Sequence, residues 1–239
     1  MKKLAIAVTG ALALAGIGAG ISSAVDPAIT ISASVSPTKH GTKKKPKVTK
    51  LVVKLATTPN PADPAFAASD TIVHLGKQLS FNGKALKTCS ASQVQADDTK
   101  CPKGSRVGQG VAAGTALGLT ENLTVKAYNG PGGNKLELLV DGQSPLQIHS
   151  VIEGILSKDS GAYGYKLSVH VPEALQQPAP GAYATLVQFD TTINRVLGSK
   201  KRPYVGINSC PSSKKMAFGV DYVYTDGTKK SATTTGKCS

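Results

Sequence analysis

Four cysteines, Cys89, Cys101, Cys210 and Cys238, and four histidines, His40, His74, His149 and His170, hold most of the covalent and metal chemistry open to this chain. A zinc–thiolate site needs close pairs such as Cys-x-x-Cys, whereas here the nearest cysteines stand 12 and 28 residues apart. An even cysteine count in an exported chain reads instead as two disulfides. Of the three possible connectivities, the local one, Cys89–Cys101 with Cys210–Cys238, is favoured. Among the histidines, His149 and His170 fall opposite each other if the segments around Asp159-Ser160 pair about a two-residue loop. Two facing imidazoles are a candidate pair of ligands for a divalent transition metal, or a pH-responsive pair. No third ligand accompanies them in the sequence.

Other signatures fail on their chemistry. Gly108-Gln109-Gly110-Val111-Ala112-Ala113 matches the loose G-x-G-x-x-A form of the dinucleotide fingerprint. That site needs a strand before the glycines and a helix after them. Here Cys101-Pro102-Lys103-Gly104-Ser105-Arg106 precedes, and the sequence beyond is broken by further glycines. The glycines are expected to permit a bulge or the close approach of a neighbouring strand, and no nucleotide partner is expected. There is no G-x-S-x-G elbow and no lone reactive cysteine. Asp97-Asp98 are adjacent and so point apart, without calcium-loop spacing. With no tryptophan and 5% aromatic residues, platforms for stacking sugars or bases are poorly supplied. No catalytic residue and no cofactor is expected.

These residues must be positioned by what surrounds them. Residues 1–24 read as an export signal: Lys2 and Lys3, an apolar run from Leu4 to Gly20, then Ser22-Ser23-Ala24 before the cut. The run is too short and glycine-rich to span a bilayer comfortably, so no transmembrane span is expected in the mature chain. Residues 25–50 read as a disordered Lys/Pro-rich tether. From Leu51 to Ser239 the chain alternates as short strands with frequent turns, and no amphipathic helix of ten residues stands out. The expectation is a single all-β domain, an antiparallel β-sandwich (immunoglobulin-like or jelly-roll-like) of about 10–12 strands.

Three hairpins can be specified by register. Around Asp159-Ser160, Glu153 would face Lys166, Ile152 would face Leu167 and Tyr165 would cover Gly154, with Ile148, Ile152, Leu156, Tyr163, Tyr165, Leu167, Val169 and Val171 on one face. Pairing Tyr128 with Lys135 would set Lys126 opposite Glu137, and Leu123, Val125 and Ala127 opposite Val140, Leu138 and Leu136. Met216, Phe218, Val220, Tyr222 and Tyr224 alternate toward Asp226-Gly227, a type I′ turn signal. That register brings Cys238 near Lys215 and supports the Cys210–Cys238 bridge.

The chain carries 28 Lys and Arg against 14 Asp and Glu. Loss of Lys2 and Lys3 with the signal leaves 26 against 14, a formal charge of +12. Such a balance favours anionic partners. Lys43, Lys44, Lys45, Lys47, Lys200, Lys201, Arg202, Lys214 and Lys215 are the candidate contacts, with Lys229 and Lys230 adding to the same basic surface. The partner would be an anionic cell-envelope polymer or a protein. Two other readings are a carrier of a small apolar ligand or lipid held between sheets, and a hydrolase whose site is assembled from distant residues.

The stretch Leu79-Ser80-Phe81-Asn82, Cys89, then Cys101-Pro102-Lys103-Gly104-Ser105-Arg106-Val107-Gly108-Gln109-Gly110 resembles a group of secreted actinobacterial β-rich proteins. Their hallmark is a Cys…Cys-Pro-x-x-Ser-x-Val-Gly-x-Gly segment, often behind a Lys/Pro-rich tether. The resemblance covers most of residues 45–239. It implies a strand-rich fold and an extracellular or wall-associated location, and carries no activity with it.

Overall fold

The computed structural model describes residues 28–58, 67–194, 196–197 and 202–239, with the side chains of residues 196, 197 and 202 left aside. The export signal and Lys200 and Lys201 lie outside the described residues. Among the described residues, sixteen strands and two short α-helices follow in chain order. They are β1 (Ile29–Ser36), β2 (Lys47–Val48), β3 (Lys50–Thr57), β4 (Ala68–Gly76), β5 (Leu79–Phe81), α1 (Ala91–Asp97), β6 (Arg106–Ala116), β7 (Leu119–Asn129) and β8 (Lys135–Gly142). Then come β9 (Ile148–Lys158), β10 (Tyr163–His170), α2 (Glu173–Gln176), β11 (Thr185–Ile193), β12 (Val196–Leu197), β13 (Arg202–Pro203), β14 (Val205–Ile207), β15 (Lys215–Tyr224) and β16 (Lys229–Lys237). The chain is all-β in class, and eleven strands form one antiparallel sheet in the order β1-β3-β11-β6-β7-β8-β9-β10-β4-β15-β16. Both local disulfides are formed, with Cα–Cα distances of 5.5 Å for Cys89–Cys101 and 5.7 Å for Cys210–Cys238.

Alternation explains the curl of the sheet. Leu51, Val53 and Leu55 of β3, Val73 and Leu75 of β4, Leu136 and Leu138 of β8, and Met216, Phe218, Val220 and Tyr222 of β15 share one buried cluster. Sheets twist, and eleven strands carrying one apolar face wrap around it until the edge strands touch. A Cβ added to Gly236 of β16 would lie 3.1 Å from the carbonyl oxygen of Ala33 in β1, so the missing side chain lets the edges meet. The sheet is nearly barrel-like. A three-stranded sheet, β2-β14-β5, closes one end with Leu79, Tyr204, Val205 and Ile207, all at most 1% exposed.

The expected tether is corrected by this arrangement. Ile29–Ser36 is β1, paired with β3 from Ile29↔Thr57 to Ser36↔Lys50, and Ile31, Ala33 and Val35 are core residues. A period of two in ITISASVS drives it: the apolar residues take one face and the serines the other. A short helix, α1, of seven residues stands inside the Cys89–Cys101 loop, within the expectation that no helix of ten residues forms. Ser90 caps it by accepting from Gln93 N–H, while the Gln93 side chain accepts from Ser90 N–H. Ser90-Ala91-Ser92-Gln93 is a capping-box signature legible in the sequence.

All three hairpins exist with shifted registers. In β9–β10, Lys166 faces Ser157, Leu167 faces Leu156 and Val169 faces Gly154. The two-residue turn is Gly161-Ala162, closed by Tyr163 N–H donating to the Ser160 carbonyl (3.1 Å), because Gly161 adopts φ +64°. This moves the register by four residues, and an even shift leaves every side chain on its expected face. In β7–β8, Tyr128 faces Glu137 and Val125 faces Val140, a shift of two. In β15–β16 the shift is one. Tyr224 N–H donates to the Thr228 carbonyl across a three-residue loop whose Gly227 sits at φ +83°, so Lys215 faces Lys237.

The Gly108 and Gly110 expectation of bulge and close approach is met on both counts. The β6–β7 register slips between Arg106 and Gly108. A Cβ on Gly110 would lie 2.0 Å from the Asp190 carbonyl oxygen, and one on Gly108 would lie 2.5 Å from that of Thr192.

Candidate anion-binding end

Every long strand of the large sheet runs between two ends. At the end sealed by β2-β14-β5 lie the connections 37–46, 77–78 and 208–214 and the close of β16. Local sequence builds this end tightly. Thr42 and Lys45 exchange backbone hydrogen bonds (3.0 and 3.1 Å), and the Thr42 hydroxyl also accepts from Lys45 N–H, so Lys43 and Lys44 ride on the tip of a closed turn. Gly41 is required there, since a Cβ would lie 2.2 Å from the Lys45 carbonyl oxygen. That turn is fixed to the rest of the end: Gly41 N–H donates to Ile207 (2.9 Å), His40 N–H to Ser239 (2.8 Å) and Ser239 N–H to Thr38 (3.0 Å). Cys238 N–H donates to the Lys214 carbonyl (3.0 Å), and the Cys210–Cys238 bridge pins the same loop.

The result brings together lysines far apart in sequence. Lys43, Lys44, Lys45 and Lys47 come from one connection and Lys214 and Lys215 from another, all exposed. Lys39, Lys77 and Lys237 join them, also exposed. Among the described residues none of these nine cations has an acidic partner within ion-pair distance. The cations that do pair are Lys54 with Asp190, Lys100 with Asp97, Lys126 with Asp98 and Lys135 with Glu153; of these Lys135, at the start of β8, lies at this same end. Lys237 could have been found in the sequence, because it precedes a cysteine whose bridge reaches the Lys214-Lys215 loop. Lys229 and Lys230 are corrected to the opposite end, at the start of β16.

The histidines are not brought together. With the β9–β10 register moved by four, His149 and His170 lie along different partners. His149 Nδ1 is 2.5 Å from Asp141 Oδ1 across β8–β9, and His170 Nδ1 is 2.9 Å from Asp70 Oδ1 across β10–β4. Their expected shared metal position is thereby lost. Among the described residues no group of three or more His, Cys, Asp or Glu side chains is arranged to hold a metal ion.

Two histidines are instead clasped on both sides. His74 Nδ1 donates to Asp159 Oδ2 (2.6 Å) and Nε2 to Asp221 Oδ2 (3.0 Å), joining β4, the β9–β10 turn and β15. His149 Nε2 also faces the Gln95 carbonyl oxygen (3.0 Å), joining α1 to β8 and β9. Each partner is an acceptor, so both ring nitrogens must donate and the imidazolium is the form that fits. Burial pushes the His74 pKa down, but the two carboxylates outweigh it and hold the pKa above its ordinary value. The Asp141 hydrogen bond and the Gln95 carbonyl raise that of His149.

The carboxylates are similarly occupied. Asp98 accepts from Lys126 Nζ (2.7 Å) and Tyr128 Oη (2.5 Å); these contacts outweigh its burial and lower its pKa. Glu137 is 1% exposed, and burial together with facing Glu153 raises its pKa. Asp98 and the Gln95 amide, which bonds the His149 carbonyl and Val151 N–H, dock the disulfide loop onto β7–β9. These groups fasten elements together.

Compared with protein families, with curated proteins and with solved structures, the chain matches none. The site's chemistry rests on its own geometry: a rigid, solvent-facing array of unpaired ammonium groups. Such an array attracts multivalent anions from a distance set by the Debye length, about 8–10 Å at ordinary salt.

Proposed function

We propose that this is a secreted, non-enzymatic binding protein of the cell envelope, whose basic end contacts an anionic envelope polymer. One observation carries the reading. Lysines from separate connections converge at one end, held by backbone hydrogen bonds and a disulfide, with no acidic partners among the described residues. Evolution of mere solubility needs charge spread over a surface rather than gathered and braced. The apolar leader at residues 1–24 and the two disulfides, which belong to oxidising compartments, support export. The lack of a free cysteine among the described residues, and the double engagement of His74 and His149, support a role without covalent catalysis. We read the large sheet as a barrel whose seam is β1 against β16, in place of two separate layers.

The test is sedimentation with purified cell walls, untreated and stripped of phosphate-bearing polymers, across a salt series. Retention on untreated walls that falls steeply between 50 and 500 mM salt is expected, on the order of a hundredfold. Equal retention on stripped walls, or retention indifferent to salt, overturns the proposal.

A further inference from the structure

The end opposite the lysines is built differently, and its interior is continuous with the core. There the β6–β7 hairpin projects on a Leu117-Gly118 turn with φ +50° and +77°, leaving Leu117 74% and Leu119 59% exposed. Leu146, on the β8–β9 connection, is 43% exposed. Inside this mouth the apolar side chains Leu123, Ile148, Leu175 and Leu186 are only partly buried. Phe189 and Ile152 pack against both this cluster and the main core. Beyond Phe189 lies a largely apolar cavity of about 60 Å³, walled by Leu, Val, Ile and Phe side chains, Val73, Leu138 and Ile193 among them, together with Thr191 and Tyr204. At 10–15 Å³ for a single water, this space takes about four to six non-hydrogen atoms, and a dry apolar wall favours carbon over water.

A polar marker stands at the mouth. Glu121 lies on the inward face of β7 between Leu119 and Leu123 and is 7% exposed. Its Oε2 accepts from Leu146 N–H (2.8 Å), whereas its Oε1 has no hydrogen-bond partner among the described residues. Space is kept for it by glycines: Gly114 pairs with it on β6, and a Cβ on Gly142 of β8 would lie 2.4 Å from Oε1. An acceptor buried without a donor is expensive to leave unmet. Phe189 pairs with Ala112, which pairs with Leu123, so Phe189 lies at the level two residues below Glu121, about 7 Å along the strand.

We propose that the curled sheet binds a molecule with one alkyl chain of about eight carbons and a donating head, an alcohol or an amine. The chain passes Phe189 into the cavity, and the head's N–H or O–H meets Glu121 Oε1. No described lysine stands beside Glu121 within hydrogen-bond reach, so a carboxylate head would meet a carboxylate without a neutralising partner. This assignment is independent of the basic end, and either can fail alone.

The experiment is a methyl-resolved NMR titration of the intact protein with 1-octanol, octylamine and octanoate. Expected are shifts at Val73, Leu138 and Ile193, and apparent affinities for octanol and octylamine at least tenfold above octanoate. Val73→Phe, which fills the cavity, is expected to abolish the interior shifts; Thr191→Leu fills less of the same space and serves if the first variant does not fold. Glu121→Gln should retain octanol and lose most of the octylamine advantage. Octanoate binding as well as the others, or shifts confined to Leu117 and Leu146 at the surface, overturns the proposal.

Discussion

The two ends of this sheet solve opposite problems. The basic end is sealed by a second small sheet, with Leu79, Val205 and Ile207 almost wholly removed from water, and its surface is polar and cationic. The opposite end has no second sheet among the described residues; α2 and its neighbours leave Leu175, Leu186 and Ile148 half-covered, and leucines project into solvent. A charged contact surface can be displayed only on a lid that is itself well packed, because like charges gathered together push the loops apart. An apolar mouth needs the reverse, an incomplete lid. On the two proposals made above, one wall would carry two chemistries because its caps differ.

The largest expected effect tests the lids directly. Ile207→Ala, at the sealed end, should cost about 2–4 kcal/mol in chemical denaturation, as a fully buried truncation does. Leu175→Ala, at the open end, should cost less than about 1 kcal/mol. Similar losses at both positions would erase the contrast. Next, paired Cys210→Ser and Cys238→Ser should lower stability by about 3 kcal/mol and weaken wall retention as well, since the bridge holds the Lys214 loop. The Cys89–Cys101 pair, with a shorter loop, should lower stability by a similar amount and leave retention unchanged.

Charge reversal sharpens the comparison further. Lys43→Glu with Lys44→Glu should reduce wall binding about tenfold or more at low salt. Lys229→Glu with Lys230→Glu, the same charge change at the open end, should reduce it less than twofold. Equal losses would mean that net charge alone drives adsorption.

The smallest effect concerns pH. His74 and His149 are favoured as imidazolium in the fold, so their folded pKa values exceed the unfolded value of about 6.5. Their stabilisation is therefore complete below that value and is lost as pH rises through the raised folded values. Denaturation midpoints should fall between pH 6 and pH 9, and His74→Gln should flatten part of that slope. A midpoint that rises over this window contradicts the clasped geometry.

Much of this was legible in the residues. The cysteine spacing gave both bridges, and the period-two alternation gave three hairpins, two of them with their strands on the expected faces; the third, β15–β16, is offset by one residue. What eluded sequence reasoning was phase. Asp159-Ser160 and Gly161-Ala162 both read as two-residue turns in the sequence, and the structure takes the second, with Gly161 at φ +64°. The facing of His149 and His170 hung on that choice and fell with it. The lysine end was half legible: the runs stand in the sequence, but their convergence depends on which strands end together, a property of the whole sheet order. Glu121 gave no signal, because its meaning comes from Gly114 and Gly142 on neighbouring strands.

The seam between β1 and β16 has a temporal consequence. Thr38 and Ser239, bonded through both backbone and hydroxyl groups, are separated by 201 residues. A ribosome makes β1 long before β16, so the partial chain carries an unclosed edge and an uncovered apolar face throughout synthesis. Contacts of such long range also slow the final closure. Contact between the two edges therefore cannot form until residues 229–239 are present.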